Sequence, residues 1–196
     1  MKYEAKNFDN LLGLTGFSDT LLKNHFSLYQ GYVNNVNKLI IRLNELIKNG
    51  GANTPDFAEL KRRLGWEWNG MRLHEYYFEN ITKDIKELNS KSALFQKVNE
   101  SFGNYENLEI EFKNIGAMRG IGWVILYYDK ESGEVLNAWI NEHDTGHFAG
   151  CIPVLVMDVF EHAYITDYGI KKADYIEIFM KIINWSAVEK RLEENL

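Results

Sequence analysis

The stretch that decides the fold runs from Ile152 to His162 and reads IPVLVMDVFEH. Its apolar part, up to Met157, is far shorter than the roughly 20 residues that cross a bilayer, and it predicts a short buried strand. A carboxylate at Asp158, where this strand ends, is costly to bury unless it is paired or bound to a metal. His162 follows at the predicted start of a helix, so the two side chains lie where ligands commonly converge. The alternative is that Asp158 caps that helix and His162 lies in its interior.

Two further strands precede this one. Residues 122–128 (GWVILYY) are rich in β-branched and aromatic side chains, which is typical of a strand. Residues 129–133 (DKESG) predict a turn, and the chain returns as a second strand from Glu134 to Glu142. Together with a third segment, Cys151 to Val159, they predict a small antiparallel sheet of three strands.

The first half of the chain has the pattern of helices. From Thr20 to Lys48, apolar side chains recur at spacings of three and four, and Asn49-Gly50-Gly51 ends this helix. Residues 53–56 (NTPD), with proline early in the helix, begin the next one. A further helical stretch is predicted from about Gly70 to Leu88. Because the connecting loops are short, we expect these helices to pack antiparallel as a hairpin.

The second half combines the strands with more helices. Ser90 to Met118 is predicted to be helical with a break at Gly103-Asn104, and the chain is again helical from Glu161 onward, with an interruption at Asp167-Tyr168-Gly169. The predicted fold class is therefore α+β. An N-terminal antiparallel α-helical hairpin domain, residues 1–90, precedes an α/β domain, residues 91–196, with the three-stranded antiparallel sheet.

Composition excludes several classes of protein. The 196 residues include 22 Lys and Arg and 28 Asp and Glu, for a formal net charge of −6 at pH 7. Because nucleic acids and anionic lipids attract basic proteins, we expect neither nucleic acid nor a membrane as a partner. Cys151 is the single cysteine, which excludes an intramolecular disulfide and a cysteine-based zinc site. The polar first ten residues lack the apolar core of a signal peptide, so the expected location is cytoplasmic.

Two of the five histidines lie on apolar faces of the predicted hairpin helices. His25 belongs to the first helix and His74 to a later, antiparallel one. Facing helices can direct two imidazoles at one point, which is how metal sites are built in helical bundles. The alternative is that each histidine is a hydrogen-bonded core residue, and the pattern alone leaves both possibilities open.

The segment Asp158-Val159-Phe160-Glu161-His162-Ala163-Tyr164 resembles the signature of iron/manganese superoxide dismutases, whose usual form has Trp at the position of Phe160. Similar motifs of that family follow in its order between about Phe17 and Trp185: YVNNVN at 32–37, HEYYF at 74–78, SFG at 101–103, GIGW at 120–123 and NW at 184–185. Each motif is weak alone, but their common order makes the resemblance specific. The family fold, a helical hairpin followed by an α/β domain with a three-stranded sheet, matches the fold predicted above.

The resemblance implies that His25, His74, Asp158 and His162 are metal ligands. Three imidazoles and one carboxylate suit iron or manganese, so one Fe or Mn ion is expected per subunit, with iron, manganese and use of either metal all open. The implied reaction is superoxide dismutation. One superoxide is oxidised to O₂ by the trivalent metal, and a second is reduced to H₂O₂ by the divalent metal.

Two catalytic residues are implied beside the ligands. Tyr32 resembles the gateway tyrosine that orients solvent and helps to relay protons. His143, 15 residues before Asp158, resembles a histidine that contacts the metal-bound solvent in some members. Other members use a glutamine four residues before the second histidine ligand, where this chain has Gly70. The alternative for His143 is a solvated loop histidine.

The surroundings of the site are implied in the same way. Trp123 and Tyr77 resemble the aromatic shell around the metal, although plain core packing is an alternative for both. Glu161 resembles the acid that hydrogen-bonds a ligand histidine across a subunit interface. The resemblance therefore implies a homodimer, or a tetramer built from such dimers. His147 has no counterpart in the family pattern and is expected to be structural.

The sequence departs from the family pattern on the first helix. Tyr29 stands where most members have a second histidine, and Ile165 stands where they have the tyrosine that reaches it across the interface, so this gateway is expected to be more apolar. Tyr32 comes seven residues after His25, where the family has eight. Either the helix lacks a one-residue bulge found elsewhere, or Tyr32 is rotated off its usual line.

The remaining alternatives concern charge and function. Lys171 and Lys172 are candidates for attracting superoxide into an acidic protein, with plain solvation as the alternative.

Two other functions are a dismutase-like fold that serves as a structural or interaction protein without activity, and a mononuclear iron enzyme that activates O₂. The first would have lost ligands, and the second commonly has two histidines and one carboxylate. The presence of all four candidate ligands favours the dismutase.

Overall fold

The computed structural model describes residues 2–196 of the chain and has the predicted α+β class. Short 3₁₀ turns lie at Asp9–Leu11 and Glu161–Ala163. The longer elements, in chain order, are α1 (Asp19–Lys48), α2 (Pro55–Glu79), α3 (Ala93–Phe102), α4 (Tyr105–Ala117), β1 (Gly122–Tyr128), β2 (Val135–Asn141), β3 (Ile152–Asp158), α5 (Ile165–Tyr168), α6 (Lys172–Lys181) and α7 (Trp185–Glu193).

Helices α1 and α2 form the predicted antiparallel hairpin. The Ser18 side chain caps α1 by accepting a hydrogen bond from the Leu21 N–H, and α2 begins with Pro55 in its first turn. Across the hairpin, the Asn35 amide lies 3.3 Å from Glu67 Oε2. His25, near the start of α1, contacts His74, near the end of α2, with ring centroids 5.0 Å apart, so the two helices run antiparallel.

The prediction of a separate helix from Gly70 to Leu88 is wrong at both ends. Helix α2 runs unbroken through Gly70 and ends at Glu79, with Asn80 as its C-cap. The Asn80 side chain donates to the Val156 carbonyl at 3.0 Å, and Ile81 pairs with Ile183 in an isolated β-bridge. Because these tertiary contacts hold the backbone after Asn80, they override the local helical periodicity.

The three predicted strands form one antiparallel sheet in the order β2-β1-β3. The central strand β1 is buried along its whole length. Trp123 on β1 pairs with Asp158 at the end of β3, and the register shifts between Leu126 and Tyr127. Helix α2 packs against β3, so the end of β3 meets the inner side of the hairpin.

A continuous apolar core joins the two halves of the described chain, with members that include Leu22, Tyr77, Trp123 and Val156. The division at residue 90 stays a prediction. Among residues 2–196, no helix is at once long enough and apolar enough to cross a membrane.

Candidate metal centre

Four side chains that are distant in sequence meet where the hairpin faces the end of β3. The ligand-type atoms of His25, His74, Asp158 and His162 all lie within 4.8 Å of one another. Asp158 Oδ2 is the common point, 3.0 Å from Nε2 of His162 and 3.2 Å from Nε2 of His25. Nε2 of His74 lies 3.6 Å from the same oxygen. The structure thus brings together every residue that the sequence pointed to as a ligand.

Two of the four come from the hairpin. His25 and His74 are both buried on the facing sides of α1 and α2, and their rings make an edge contact with centroids 5.0 Å apart. The Nδ1 atom of His74 donates to the Gly70 carbonyl at 2.5 Å, four residues earlier on the same helix. That bond fixes the ring of His74 and leaves its Nε2 aimed at Asp158.

The other two come from the segment after the sheet. The Asp158 backbone carbonyl accepts a hydrogen bond from the Tyr175 hydroxyl at 2.6 Å, which ties the end of β3 to α6. Asp158 Oδ1 accepts from the Phe160 N–H at 2.8 Å and so shapes the turn that brings His162 back towards the cluster. The carboxylate therefore has both roles considered from the sequence: one oxygen holds the turn, and the other faces the histidines.

The chemistry of this cluster fits a metal cation. The proton of the neutral His74 ring lies on Nδ1, which donates it in the hydrogen bond to the Gly70 carbonyl. The Nε2 atom of His74 therefore has a lone pair, and it is buried without a hydrogen-bond partner. It faces Asp158 Oδ2, which is also an acceptor, so neither atom can donate to the other. A cation between them satisfies both, and neutral imidazole with carboxylate is a donor set that iron and manganese accept.

The protonation states agree with this fit. Burial lowers the pKa of His25 and lowers the pKa of His74 still further, so both rings are neutral at pH 7. Burial acts to raise the pKa of Asp158, but the neighbouring imidazoles, His162 first, outweigh it and hold that pKa well below its usual range. The cluster thus offers an ionised carboxylate and lone pairs on neutral rings, which are the forms that bind metals.

Tyr32 and His143 form a hydrogen-bonded pair beside the cluster. The Trp123 indole N–H donates to Nδ1 of His143 at 3.0 Å, so the proton of the neutral ring lies on Nε2. Nε2 then donates to the Tyr32 hydroxyl oxygen, 2.9 Å away. Burial lowers the pKa of His143 to about 4, so the ring is neutral at pH 7. Tyr32 accepts this bond and keeps its own proton available to the site.

The one-residue offset of Tyr32 has a simple structural basis. Helix α1 is regular α-helix from Asp19 to Lys48, so the structure shows the first of the two alternatives, a helix without a bulge. Positions 25, 29 and 32 then share one face at spacings of four and three. Tyr32 still reaches the site, since its ring lies 5.1 Å from the ring of His74.

Buried aromatic side chains surround the cluster. Trp123 and Tyr77 are both fully buried, with ring centroids 5.1 Å from His74 and from His25, respectively. Sequence reasoning missed Phe78, which lies 4.9 Å from His25, and Trp66, which lies 4.4 Å from the ring of His143. The position of Trp66 on α2, eight residues before His74 and therefore near the same helix face, was an available signal.

Tyr29 also lies close to the hairpin histidines, with its ring centroid 6.5 Å from that of His74. Its hydroxyl donates to Glu75 Oε1 at 3.0 Å and accepts from the Lys6 N–H at the same distance. Glu75 is buried and is also bound by Arg72 at 2.6 Å. Tyr29 therefore fastens the N-terminal segment to the hairpin within one chain.

The side of the cluster formed after β3 is open. The side chain of His162 is 29% exposed, whereas that of His25 is fully buried. Glu161 and Ile165 next to it are exposed. Of the two lysines considered for attracting superoxide, Lys172 donates to the Met118 carbonyl and lies near Trp139. Trp139 pairs with the residue after Trp123, so it lies on the sheet face opposite the cluster.

Comparison with known proteins agrees with this geometry. A model of the iron/manganese superoxide dismutase C-terminal domain matches residues 90–191. An iron superoxide dismutase of Saccharolobus solfataricus is 34% identical over 86% of this chain and 81% of its own length. One of Aquifex pyrophilus is 33% identical over 98% and 92%, and a manganese superoxide dismutase of Haloferax volcanii is 31% identical over 87% and 83%. The chain therefore belongs to the iron/manganese superoxide dismutase family and is a superoxide dismutase that works with one iron or manganese ion.

Proposed function

We propose that His25, His74, Asp158 and His162 hold the Fe or Mn ion of this dismutase, with Tyr32 and His143 as the catalytic pair beside it. The observation that carries the assignment is the convergence of three imidazole Nε2 atoms on Asp158 Oδ2, with the His74 lone pair facing the carboxylate. When bound, the ion supplies the redox chemistry, alternating between trivalent and divalent states as one superoxide loses an electron and another gains one.

The roles of Tyr32 and His143 follow from their hydrogen bonds. Two superoxide ions and two protons give O₂ and H₂O₂, so the site must deliver protons while it excludes bulk water. Burial raises the pKa of Tyr32, so its hydroxyl stays protonated at neutral pH. The N–H of His143 holds that hydroxyl oxygen in place, which leaves the Tyr32 proton free to be donated.

The aromatic residues shield the site in which these protons are delivered. Trp123 and Tyr77 are fully buried against His74 and His25, so their rings shield these two histidines from solvent. Trp123 also fixes the tautomer of His143 through its indole N–H. Outer hydrogen bonds of this kind orient the groups around a metal and tune its chemistry.

A homodimer is part of the same proposal. The exposed Glu161 and the part-exposed His162 adjoin each other on the open side of the cluster, and Ile165 adds an exposed apolar contact. A two-fold axis through this surface would place Glu161 of each subunit near the partner's cluster and close both sites. Sedimentation velocity should show a dimer or tetramer, and Glu161→Ala should weaken it; a monomeric, fully active parent would contradict the proposal. The cytoplasmic location stays a prediction.

The metal assignment is tested by reconstitution with Fe and, separately, with Mn, measuring bound metal and dismutase activity for the parent and for Asp158→Ala. We expect about one equivalent of metal per parent chain and loss of both metal and activity in the variant. Activity with a single metal identifies the cofactor, and activity with both marks an enzyme that uses either. Retention of metal by Asp158→Ala would show that the ion is held elsewhere.

A further inference from the structure

His147 has no role in the proposed catalytic pair, yet both of its ring nitrogens are engaged. Nε2 donates to the backbone carbonyl of His143 at 2.7 Å. Nδ1 therefore carries the lone pair of the neutral ring and accepts from the Tyr127 hydroxyl at 2.6 Å. The ring thus bridges a side chain of the central strand and the backbone of a catalytic residue.

The anchor at the far end of this bridge is rigid. Tyr127 is buried on β1, four residues after Trp123, so the two side chains lie on the same face of the strand. The Trp123 indole holds the His143 ring by donating to Nδ1 of that ring. Tyr127 holds the backbone of His143 through His147. One strand therefore fixes His143 at two independent points.

The backbone that carries His143 needs such support. Glu142 has a φ of +60°, and it is the one non-glycine residue with positive φ among residues 2–196. A residue of this type in the left-handed region is strained and persists only where its surroundings hold it. The residues that follow His143 form turns whose side chains are mostly exposed, and the backbone of this loop is tied back at Thr145, which pairs with Asn141 in an isolated β-bridge.

We propose that His147 is a positioning residue for the dismutase reaction: it transfers the fixed position of Tyr127 to the His143 carbonyl and so keeps the His143 ring aimed at Tyr32. The inference rests on the proposed role of His143. Without the bridge, the His143 backbone relaxes from its strained entry, Nε2 moves from the Tyr32 hydroxyl, and the catalytic pair loses its alignment.

The test compares two amides in the iron-loaded, full-length protein. In His147→Gln the terminal amide lies at the position of Nε2 and can still donate to the His143 carbonyl. In His147→Asn the amide lies at the position of Nδ1 and can reach only Tyr127. We expect His147→Asn to lower turnover and weaken azide binding, followed by visible absorption, each by about tenfold, with His147→Gln close to the parent.

A matched control separates positioning from loop stability. Phe148 stacks on Tyr127 with centroids 5.4 Å apart and belongs to the same loop. Phe148→Leu should lower the melting temperature about as much as His147→Asn while leaving turnover and azide affinity at the parent values. Equal results for the two His147 variants, or the same loss in Phe148→Leu, would overturn the inference.

A variant of His143 itself distinguishes failure of this inference from failure of the proposed function. If His143→Leu keeps full turnover and azide affinity, His143 itself has no catalytic role. If His143→Leu loses both while His147→Asn keeps both, His143 is catalytic and only its positioning by His147 is refuted.

Discussion

The two regions that build the candidate metal centre differ in how firmly they hold their side chains. His25 and His74 project from helices of 30 and 25 residues and are buried between them. His162 projects from a three-residue 3₁₀ turn, and its side chain is 29% exposed. On the hairpin side the packing of the core determines where the ligands lie. On the other side a short turn, held by Asp158 and Tyr175, does so.

This difference separates two roles of the histidines, packing in the core and metal binding. Removing a hairpin histidine disturbs the core and the metal together, because the ring fills space between α1 and α2. Removing His162 disturbs the metal while the core stays intact. In the proposed dimer the open side is the surface that a second subunit covers. The stability of the open side should then depend on association, whereas the stability of the hairpin should not.

The largest expected effect tests this separation directly. His74→Ala should abolish metal binding and also lower the free energy of unfolding of the metal-free protein by about 2–4 kcal/mol, because it leaves a cavity in the core. His162→Ala should also abolish metal binding but lower that free energy by less than about 1 kcal/mol. Metal analysis and urea unfolding of both metal-free variants provide the measurement. Equal destabilisation by the two would break the comparison.

The next effect concerns the close approach of the two hairpin helices. A Cβ at Gly70 would lie 2.7 Å from Cδ1 of Tyr32, so Gly70→Ala must displace the Tyr32 ring. We expect a loss of about 1–3 kcal/mol in stability and a fall in activity, because Tyr32 then leaves His143.

Gly65 on the same helix is the matched control. A Cβ there meets nothing within 4 Å, so Gly65→Ala should raise the stability by about 0.5–1 kcal/mol through helix propensity and leave activity unchanged. Thermal unfolding and dismutase assays of the pair decide the matter. The same sign of stability change in both variants would show that the contact with Tyr32 does not limit the packing.

A smaller effect is expected from removing one hydroxyl on the hairpin side of the catalytic pair. Tyr32→Phe leaves the ring in place but deprives His143 Nε2 of its acceptor and the site of a proton donor. Turnover should fall about tenfold with metal content unchanged. Tyr105→Phe, which removes a phenol far along the chain, is the control. Unchanged turnover in Tyr32→Phe would remove Tyr32 from the mechanism.

Much of this architecture could be predicted from the sequence because local patterns determine it. The β-branched and aromatic run at 122–128 coincides with β1, and Gly103-Asn104 separates α3 from α4 as predicted. The fold, the activity and the iron or manganese cofactor expected from the family resemblance are confirmed. The pattern failed for the helix predicted to reach Leu88, because Asn80 and Ile81 are held by residues about a hundred positions away.

The parts that could not be predicted depend on orientation. The resemblance pointed to His143 as a residue of the site, but the tautomer of its ring depends on a hydrogen bond from Trp123 on β1. The contact of Tyr29 with Glu75 needs the register of the hairpin, and the bridge made by His147 needs the path of a loop. Such contacts join residues that are distant in sequence, and no local periodicity encodes them.

The smallest expected effect is on the free energy of unfolding at alkaline pH, where tyrosines from the two regions should contribute differently. Burial raises the pKa of Tyr29, on the hairpin side, more than it raises the pKa of the part-exposed Tyr168, which follows β3 on α5. Above pH 10 the unfolded chain releases these protons while the folded chain keeps them, so the free energy of unfolding falls as pH rises. Each retained proton contributes at most about 1.4 kcal/mol per pH unit.

Between pH 10 and 11 the free energy of unfolding should therefore fall less steeply in Tyr29→Phe than in the parent, by up to about 1.4 kcal/mol per pH unit. Tyr168→Phe should reduce this slope less. Urea unfolding at pH 8, 9, 10 and 11, with the parent in parallel, measures both slopes. At pH 8 the phenols are protonated in both states, so a loss of stability in Tyr29→Phe at that pH reports its hydrogen bonds to Glu75 and Lys6 rather than its titration. Equal slopes for the two variants would mean that Tyr29 holds its proton no more firmly than Tyr168.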